Sequence, residues 1–267
     1  MKSFIKSILF TAFVISSVFI TSCDEDGGIS LFTIEDDKRL GQQVAEEIAA
    51  NPQEYPILSA TQYAQSYSYL KGILNKILSS SEIKYRNEFA YDQIKIIQND
   101  EVLNAFATPG GYIYVYTGLI KFLETEDHLA GVIGHEIAHA EERHSSKALQ
   151  RQMGVQLLLD VVLGNNQGAV SQVLVNLGSL KFSRDAETEA DESAVLYLGD
   201  TQYQCNGVAG FFEKLEAEGG ARTPEFLSTH PSPSNRVENI NSQAATLGCS
   251  TNALNPSSYQ DFKNTLP

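Results

Sequence analysis

The chain has little positive charge, with 19 lysines and arginines against 33 aspartates and glutamates and a formal net charge of −14 over 267 residues. That balance argues against a nucleic-acid partner and against a basic helix lying on a membrane surface. Cysteine is scarce, with only Cys23, Cys205 and Cys249, and their spacing does not resemble a cysteine zinc cluster. No repeat with a period of roughly 20 to 50 residues is evident, so nothing points to a helical-repeat module. Apolar runs are short as well. The most apolar segment, Ser7 to Ile20, follows Lys2 and Lys6 and has signal-peptide length, too short and wrongly flanked for an ordinary membrane span.

A second signal overlaps the end of that segment. Ile20, Thr21, Ser22 and Cys23 resemble a bacterial lipobox, in which the cysteine is acylated and becomes the first mature residue; the alternative is a plain secretory signal with an incidental cysteine. Residues 1–22 are thus expected to be a lipoprotein signal peptide, 23–33 a lipid-anchored flexible tether and 34–267 the folded domain. Several acyl chains anchor stably where one binds only marginally, so Cys23 would hold the domain at a membrane without a transmembrane helix. Removing 1–22 takes away Lys2 and Lys6 and no acid, leaving 17 basic against 33 acidic residues. An exported compartment permits Cys205 and Cys249 to pair, the alternative being two buried thiols.

The chemistry centres on His135, Glu136, Ile137, Ala138 and His139. In an α-helix residues four apart lie on one side, so the two imidazoles can each offer a ring nitrogen to one metal ion. Glu136 then flanks the metal as a candidate general base for a water whose pKa zinc lowers from 15.7 to about 7. HExxH on a helix is a metallopeptidase signature. The context supports it, because residues 126–147 read as one helix with an apolar stripe through Leu129, Val132, Ile133, Ile137 and Ala140. Gly131 and Gly134 each cost that helix up to about 1 kcal/mol, which predicts close packing against a neighbour.

Around this motif, helices are predicted at 34–50, 61–79, 184–198 and 207–218, with a last helix starting near Ser234. Strands are predicted at 93–98 and 112–116, joined by a turn at Pro109, Gly110 and Gly111, within a small sheet of three or more strands. Residues 148–180 are apolar but broken at Gly164 to Gly168, suggesting two short helices as a core or lid hairpin, or as a membrane-interacting element. A catalytic zinc takes three protein ligands and keeps a fourth position open, so a third must come from elsewhere. In Glu187, Thr188, Glu189, Ala190 and Asp191 the first and last share a helix face, while Glu189 lies about 200° round from Glu187. Glu187 is therefore the candidate ligand, with Asp191 one turn on to orient a ligating histidine.

HEIAH, SRDAETEAD at 183–191, STHPSPSNR at 228–236 and NAFATPGGYIYVYTGL at 104–119 together resemble the CAAX-prenyl-protease and HtpX family of zinc metallopeptidases, in its exported soluble branch. The resemblance spans nearly all of residues 35–245. It implies an α+β fold, a mainly helical zincin-like (gluzincin) domain with a small β-sheet, holding one Zn²⁺ through His135, His139 and Glu187. It implies that Asn104, Ala105, Phe106 and Ala107 form an edge strand above the zinc, where an extended substrate backbone can pair. His230 and Arg236 would approach the zinc to stabilise an oxyanion, or His230 would fill the open zinc position and idle the enzyme, or the segment is a turn and cap.

The resulting expectation is a lipid-anchored zinc endopeptidase of the bacterial envelope, facing the periplasm or the cell surface. Unfolded or misassembled envelope proteins would be its substrates and no nucleic acid its partner. A chaperone-like assembly factor with a latent zinc site is the alternative; a hydrolase of non-peptide amides would need a closed pocket instead of a groove.

Overall fold

The computed structural model describes residues 31–218, 225–231, 235–252 and 257–267. Cys23, the signal segment 1–22 and residues 24–30 of the tether lie outside the described residues. Thr33 opens the first helix through a capping box, its hydroxyl accepting from the Asp36 N–H while the Asp36 carboxylate accepts from the Thr33 N–H. The helix, α1 (Ile34–Ala50), buries Leu40, Val44 and Ile48 at one-turn spacing. Next comes α2 (Ala64–Ile77), whose Tyr67, Leu70, Leu74 and Ile77 are buried.

The sheet has three strands, β1 (Lys95–Ile97), β2 (Ala105–Ala107) and β3 (Ile113–Tyr116), in the order β1-β3-β2. β3 runs parallel to β1 and antiparallel to β2, with Phe106 opposite Tyr114. Between β2 and β3 the chain turns through Gly110 at φ 73°, a backbone conformation that suits glycine. Strand alternation makes the sheet a partition: Ile113 and Val115 face the larger core, while Tyr114, between them, faces a second core formed with α1 and the helices after residue 144.

A short α3 (Thr117–Phe122) leads to α4 (Glu126–Glu141), which carries the HExxH segment. Thr125 caps α4 by accepting from the His128 N–H, and Glu126 and Asp127 place negative charge in its first turn. The helix is buried from end to end apart from His128. A Cβ on Gly131 would come within 2.1 Å of the Val208 nitrogen, so the close approach expected there is real. At Gly134 the nearest contact would be an ordinary 3.6 Å to Ala194, and no close approach is present.

The single helix expected over 126–147 is broken. Arg143 adopts the left-handed conformation (φ 59°), and α5 (His144–Met153) starts in a new direction. The break is held from outside, because Arg143 Nε donates to Asp37 Oδ2 at 2.5 Å and its Nη2 donates to the Phe32 carbonyl at 2.7 Å. After α5, α6 (Val155–Val162) and α7 (Val170–Ser179) pack on α1, so the apolar 148–180 stretch contains three helical segments.

Ser183 caps α8 (Arg184–Gly199), which packs along α4; α9 (Gly207–Ala217) packs at Gly131, and α10 (Glu225–Thr229) and α11 (Arg236–Leu247) come after it. Cys205 and Cys249 are disulfide-bonded, tying the loop after α8 to the end of α11. A final helix not anticipated from sequence, α12 (Ser257–Lys263), stacks Phe262 on Tyr69 with ring centroids 4.4 Å apart. The fold is mostly helical, packed around a small three-stranded sheet. Among the described residues no helix is long and apolar enough to cross a membrane.

Candidate active site

On α4, His135 and His139 lie one turn apart with their Nε2 atoms 3.0 Å from each other. The Ser183 hydroxyl accepts from the Ala186 N–H at 3.1 Å, which starts α8 so that Glu187 falls in its first turn, buried against α4. Glu187 Oε1 is 3.4 Å from His139 Nε2, and Glu187 Oε2 is 3.6 Å from His135 Nε2. His230, just after α10, brings its Nδ1 to 3.0 Å from Glu187 Oε1 and 3.3 Å from His135 Nε2. One potential ligand atom from each of these four buried residues lies within 4.8 Å of the others.

The cluster suits a metal ion. A tetrahedral zinc with ligand bonds of about 2.0–2.1 Å separates its donors by roughly 3.3 Å, close to the spacings found here. Burial holds His139 well below the ordinary imidazole value, so its ring is neutral and its nitrogen lone pair available. Burial alone would raise Glu187, yet the imidazoles of His230 and His139 hold it well below the usual carboxylate range. Two buried carboxylate oxygens, Glu136 Oε1 and Glu187 Oε2, have no hydrogen-bond partner. Arg236 Nη1 approaches Glu187 Oε2 to 2.9 Å but off hydrogen-bond geometry. Acceptors converge with too few protons between them, and a divalent cation resolves that excess.

Glu136 sits beside the cluster at the floor of a groove of about 430 Å³. Burial pushes its carboxyl up to about 8; the charge of Glu187 adds to the rise, while the neighbouring His135 and Arg236 and a hydrogen bond from the Ala107 backbone oppose it. The groove is lined by Tyr55, Asn104, Phe106, Ala107, Tyr116 and His230, among others. Of the four residues expected to bind substrate, Asn104, Phe106 and Ala107 line it; Ala105 is wholly buried against the larger core. The Tyr116 N–H donates to the Asn104 carbonyl and the Thr108 N–H to the Tyr112 carbonyl. Even-numbered positions of β2 therefore bond to β3, and Ala107 turns its backbone groups away from β3, towards Glu136. Its carbonyl accepts from Ser145 Oγ at 3.2 Å.

Asp191 lies behind His135, its Oδ1 2.9 Å from His135 Nδ1. Arg236 grips Asp191 with two bonds, Nε to Oδ2 at 2.6 Å and Nη2 to Oδ1 at 2.7 Å, and lies over the Phe212 ring at 4.2 Å. Burial works against both charges, but the arginine holds Asp191 below its ordinary value and the carboxylates hold Arg236 above its own. Arg236 also brings Nη1 to 2.9 Å from Glu187 Oε2 and Nη2 to 3.4 Å from His135 Nε2, and it does not line the groove. Sequence reasoning missed His144. Its Nδ1 lies 2.9 Å from His139 Nδ1, and its Nε2 lies 3.1 Å from Glu189 Oε2, the carboxylate set aside as pointing away from the metal.

Comparison with known proteins agrees with this geometry. The profile of Peptidase family M48 matches residues 64–244. The chain is similar to the mitochondrial metalloendopeptidase OMA1 of Schizosaccharomyces pombe, 29% identical over 216 residues, covering 78% of this chain and 61% of the relative. It is similar to OMA1 of Arabidopsis thaliana at 34% identity over 145 residues, 53% of this chain and 29% of that one. The beta-barrel assembly-enhancing protease of Escherichia coli K12 is 29% identical over 164 residues, 56% of this chain and 34% of its own length. The chain therefore spans between about three tenths and three fifths of the relatives it matches. With well over half its residues matched by one family profile and a His, His, Glu donor set beside a buried glutamate, the chain belongs to peptidase family M48, whose metallopeptidases use zinc.

Proposed function

We propose that this protein is a zinc endopeptidase of the bacterial cell envelope that cleaves unfolded or misassembled envelope proteins. The observation that carries the reading is the convergence of His135, His139 and Glu187 at a groove whose wall is the β2 edge and whose floor is Glu136. In this reading those three residues hold the ion. When bound, zinc supplies Lewis acidity, easing deprotonation of a water and attack on a carbonyl. Beside the positive charge of a bound zinc the Glu136 carboxyl returns to its ionised form, and its Oε1 then takes the proton of the attacking water and delivers it to the leaving amine, so no covalent enzyme intermediate is needed. An extended substrate would lie alongside β2 in the groove lined by Asn104, Phe106 and Ala107.

His230 is the fourth donor of the cluster in this reading and keeps the centre idle until the segment carrying it withdraws. Its ring is stacked on Phe226 with centroids 4.2 Å apart, and its N–H donates to the Phe226 carbonyl at 2.8 Å, so ring and helix α10 would move together. Arg236 braces Asp191 and Glu187 instead of meeting the oxyanion.

The envelope setting, the lipid anchor at Cys23 and membership of the CAAX-prenyl-protease and HtpX-like branch belong to the same proposal. The lipobox-like segment supports the anchor, and similarity to a protease named for beta-barrel assembly supports the setting. The test is mass spectrometry of envelope fractions from cells carrying the native chain or Glu136→Gln. Peptides present only with the native chain name the substrates. A Glu136→Gln chain that binds zinc and serves cells as well as the native one overturns the protease reading in favour of a chaperone-like factor with a latent site.

A further inference from the structure

His144 has no part in the ligand set, yet it is 2% exposed and lies edge-on to His139. The protons around it can be ordered in one consistent way. If His139 gives Nε2 to the metal, its neutral ring carries the proton on Nδ1, which is then a donor. The only ring nitrogen 2.9 Å away, His144 Nδ1, must accept it. His144 is then protonated on Nε2, and that N–H points at Glu189 Oε2 at 3.1 Å. Each hydrogen bond has one donor and one acceptor, and the line of bonds runs from the metal position to a half-exposed carboxylate.

From this geometry we infer that His144 is a positioning residue for zinc: backed by Glu189, it fixes the tautomer and ring orientation of His139. The inference rests on His139 being a ligand. Two further contacts fit it. Phe182 stacks on the His139 ring face at 4.1 Å, which limits tilt but leaves rotation in the ring plane to be set at Nδ1. The left-handed Arg143 is what turns the chain so that His144 meets His139 at all. In an unbroken helix five residues would carry His144 about 140° round from His139.

The experiment is zinc competition against a chromophoric chelator on the full chain, with His139→Ala as reference. Orienting partners of metal-bound histidines typically control affinity by about 10–100-fold, and that loss is expected for His144→Leu. His144→Asn, whose amide oxygen can accept the same bond, should recover most of it. Glu189→Ala, at the accessible end, should lose less than about tenfold. Nitrogen-15 NMR of the zinc-loaded native chain should find His139 protonated on Nδ1 and His144 on Nε2, a signature that a merely structural histidine need not give and that can be read even if His144→Leu fails to fold. The inference is overturned if His144→Leu binds zinc as tightly as the native chain while His139→Ala does not, or if His144 carries its proton on Nδ1. A native chain that takes no zinc, or a His139→Ala chain that takes it unchanged, overturns the ligand reading itself and this inference with it.

Discussion

His135 and His139 are supported from behind in different ways. The support for His135 is sealed, with Asp191 at 2.9 Å and Arg236 bonded to both oxygens of that aspartate, and both residues are buried. The support for His139 leads outward, through His144 at 2.9 Å to a glutamate whose side chain is 49% exposed. In the sealed arm one buried cation faces two buried carboxylates, Asp191 and Glu187, so removing Arg236 leaves unpaired ions in a dry interior. In the open arm water can take over from a missing partner. One centre thus combines a support that is costly to break with one that is easy to adjust.

Glu136 belongs to neither arm, and the largest expected effect tests that separation. Glu136→Gln should lower cleavage of an unfolded protein substrate by about 10²–10⁴-fold, the usual contribution of a positioned general base. Zinc affinity, measured by chelator competition, should be unchanged. If zinc is lost together with activity, Glu136 is part of the ligand support and the two-arm description is wrong.

The sealed arm should break next. Arg236→Met is expected to destabilise the fold by about 3–5 kcal/mol in chemical denaturation, because Asp191 and Glu187 are left buried without their cation. Changing Asp191 to Asn in the same chain should recover part of that loss. A single Arg236→Met chain that unfolds at the native denaturant midpoint would mean that water reaches Asp191 and that the arm is not sealed.

How much of this was legible in the sequence depends on the range of the forces involved. The structure brings His135, His139 and Glu187 together, and helical period alone puts each on a defined face. The same reasoning correctly turned Glu189 away from Glu187 but could not show that its carboxylate meets His144. That contact depends on Arg143, which interrupts a segment whose pattern reads as continuous helix, and Arg143 is held by Asp37 and Phe32, more than 100 residues earlier. No local signal such as glycine or proline marks the break. Ala105 lies off the groove for a smaller reason: it is packed into the larger core with Ile113 and Val115.

A carboxylate at the start of α4 shows whether any buried acid behaves like the sealed arm. Glu126 accepts from Tyr69 and from Tyr203 Oη (2.5 Å) and pairs with Lys76 at 3.1 Å, remote from the metal ligands. Burial opposes its ionisation, but the hydrogen bonds from Tyr203, Tyr69 and Lys76 prevail and hold it below its ordinary value of 4.5. The native state therefore binds fewer protons than the unfolded one. The stabilisation is complete above about 4.5 and disappears as pH falls through the lower folded value. Glu126→Gln should cost about 1–3 kcal/mol at pH 7, with the difference from the native chain shrinking below about pH 4.5. Zinc affinity should not change; a change would couple the start of α4 to the centre.

The smallest effect distinguishes the arms most directly, because it uses only salt. Glu189→Gln keeps an oxygen that can accept from His144 and removes the charge alone. At an exposed pair that charge is worth about 0.2–1 kcal/mol. Mobile ions screen charges near the surface over about 10 Å at 0.1 M and about 3 Å at 1 M. The small difference in zinc affinity between native and Glu189→Gln chains should therefore fade as salt rises across that range. Asp191→Asn removes a charge that solvent ions do not reach, so its larger effect on zinc affinity should persist at every salt concentration. Equal salt dependence in the two variants would place both carboxylates in the same dielectric surroundings, and the division into a sealed and an open support would fail.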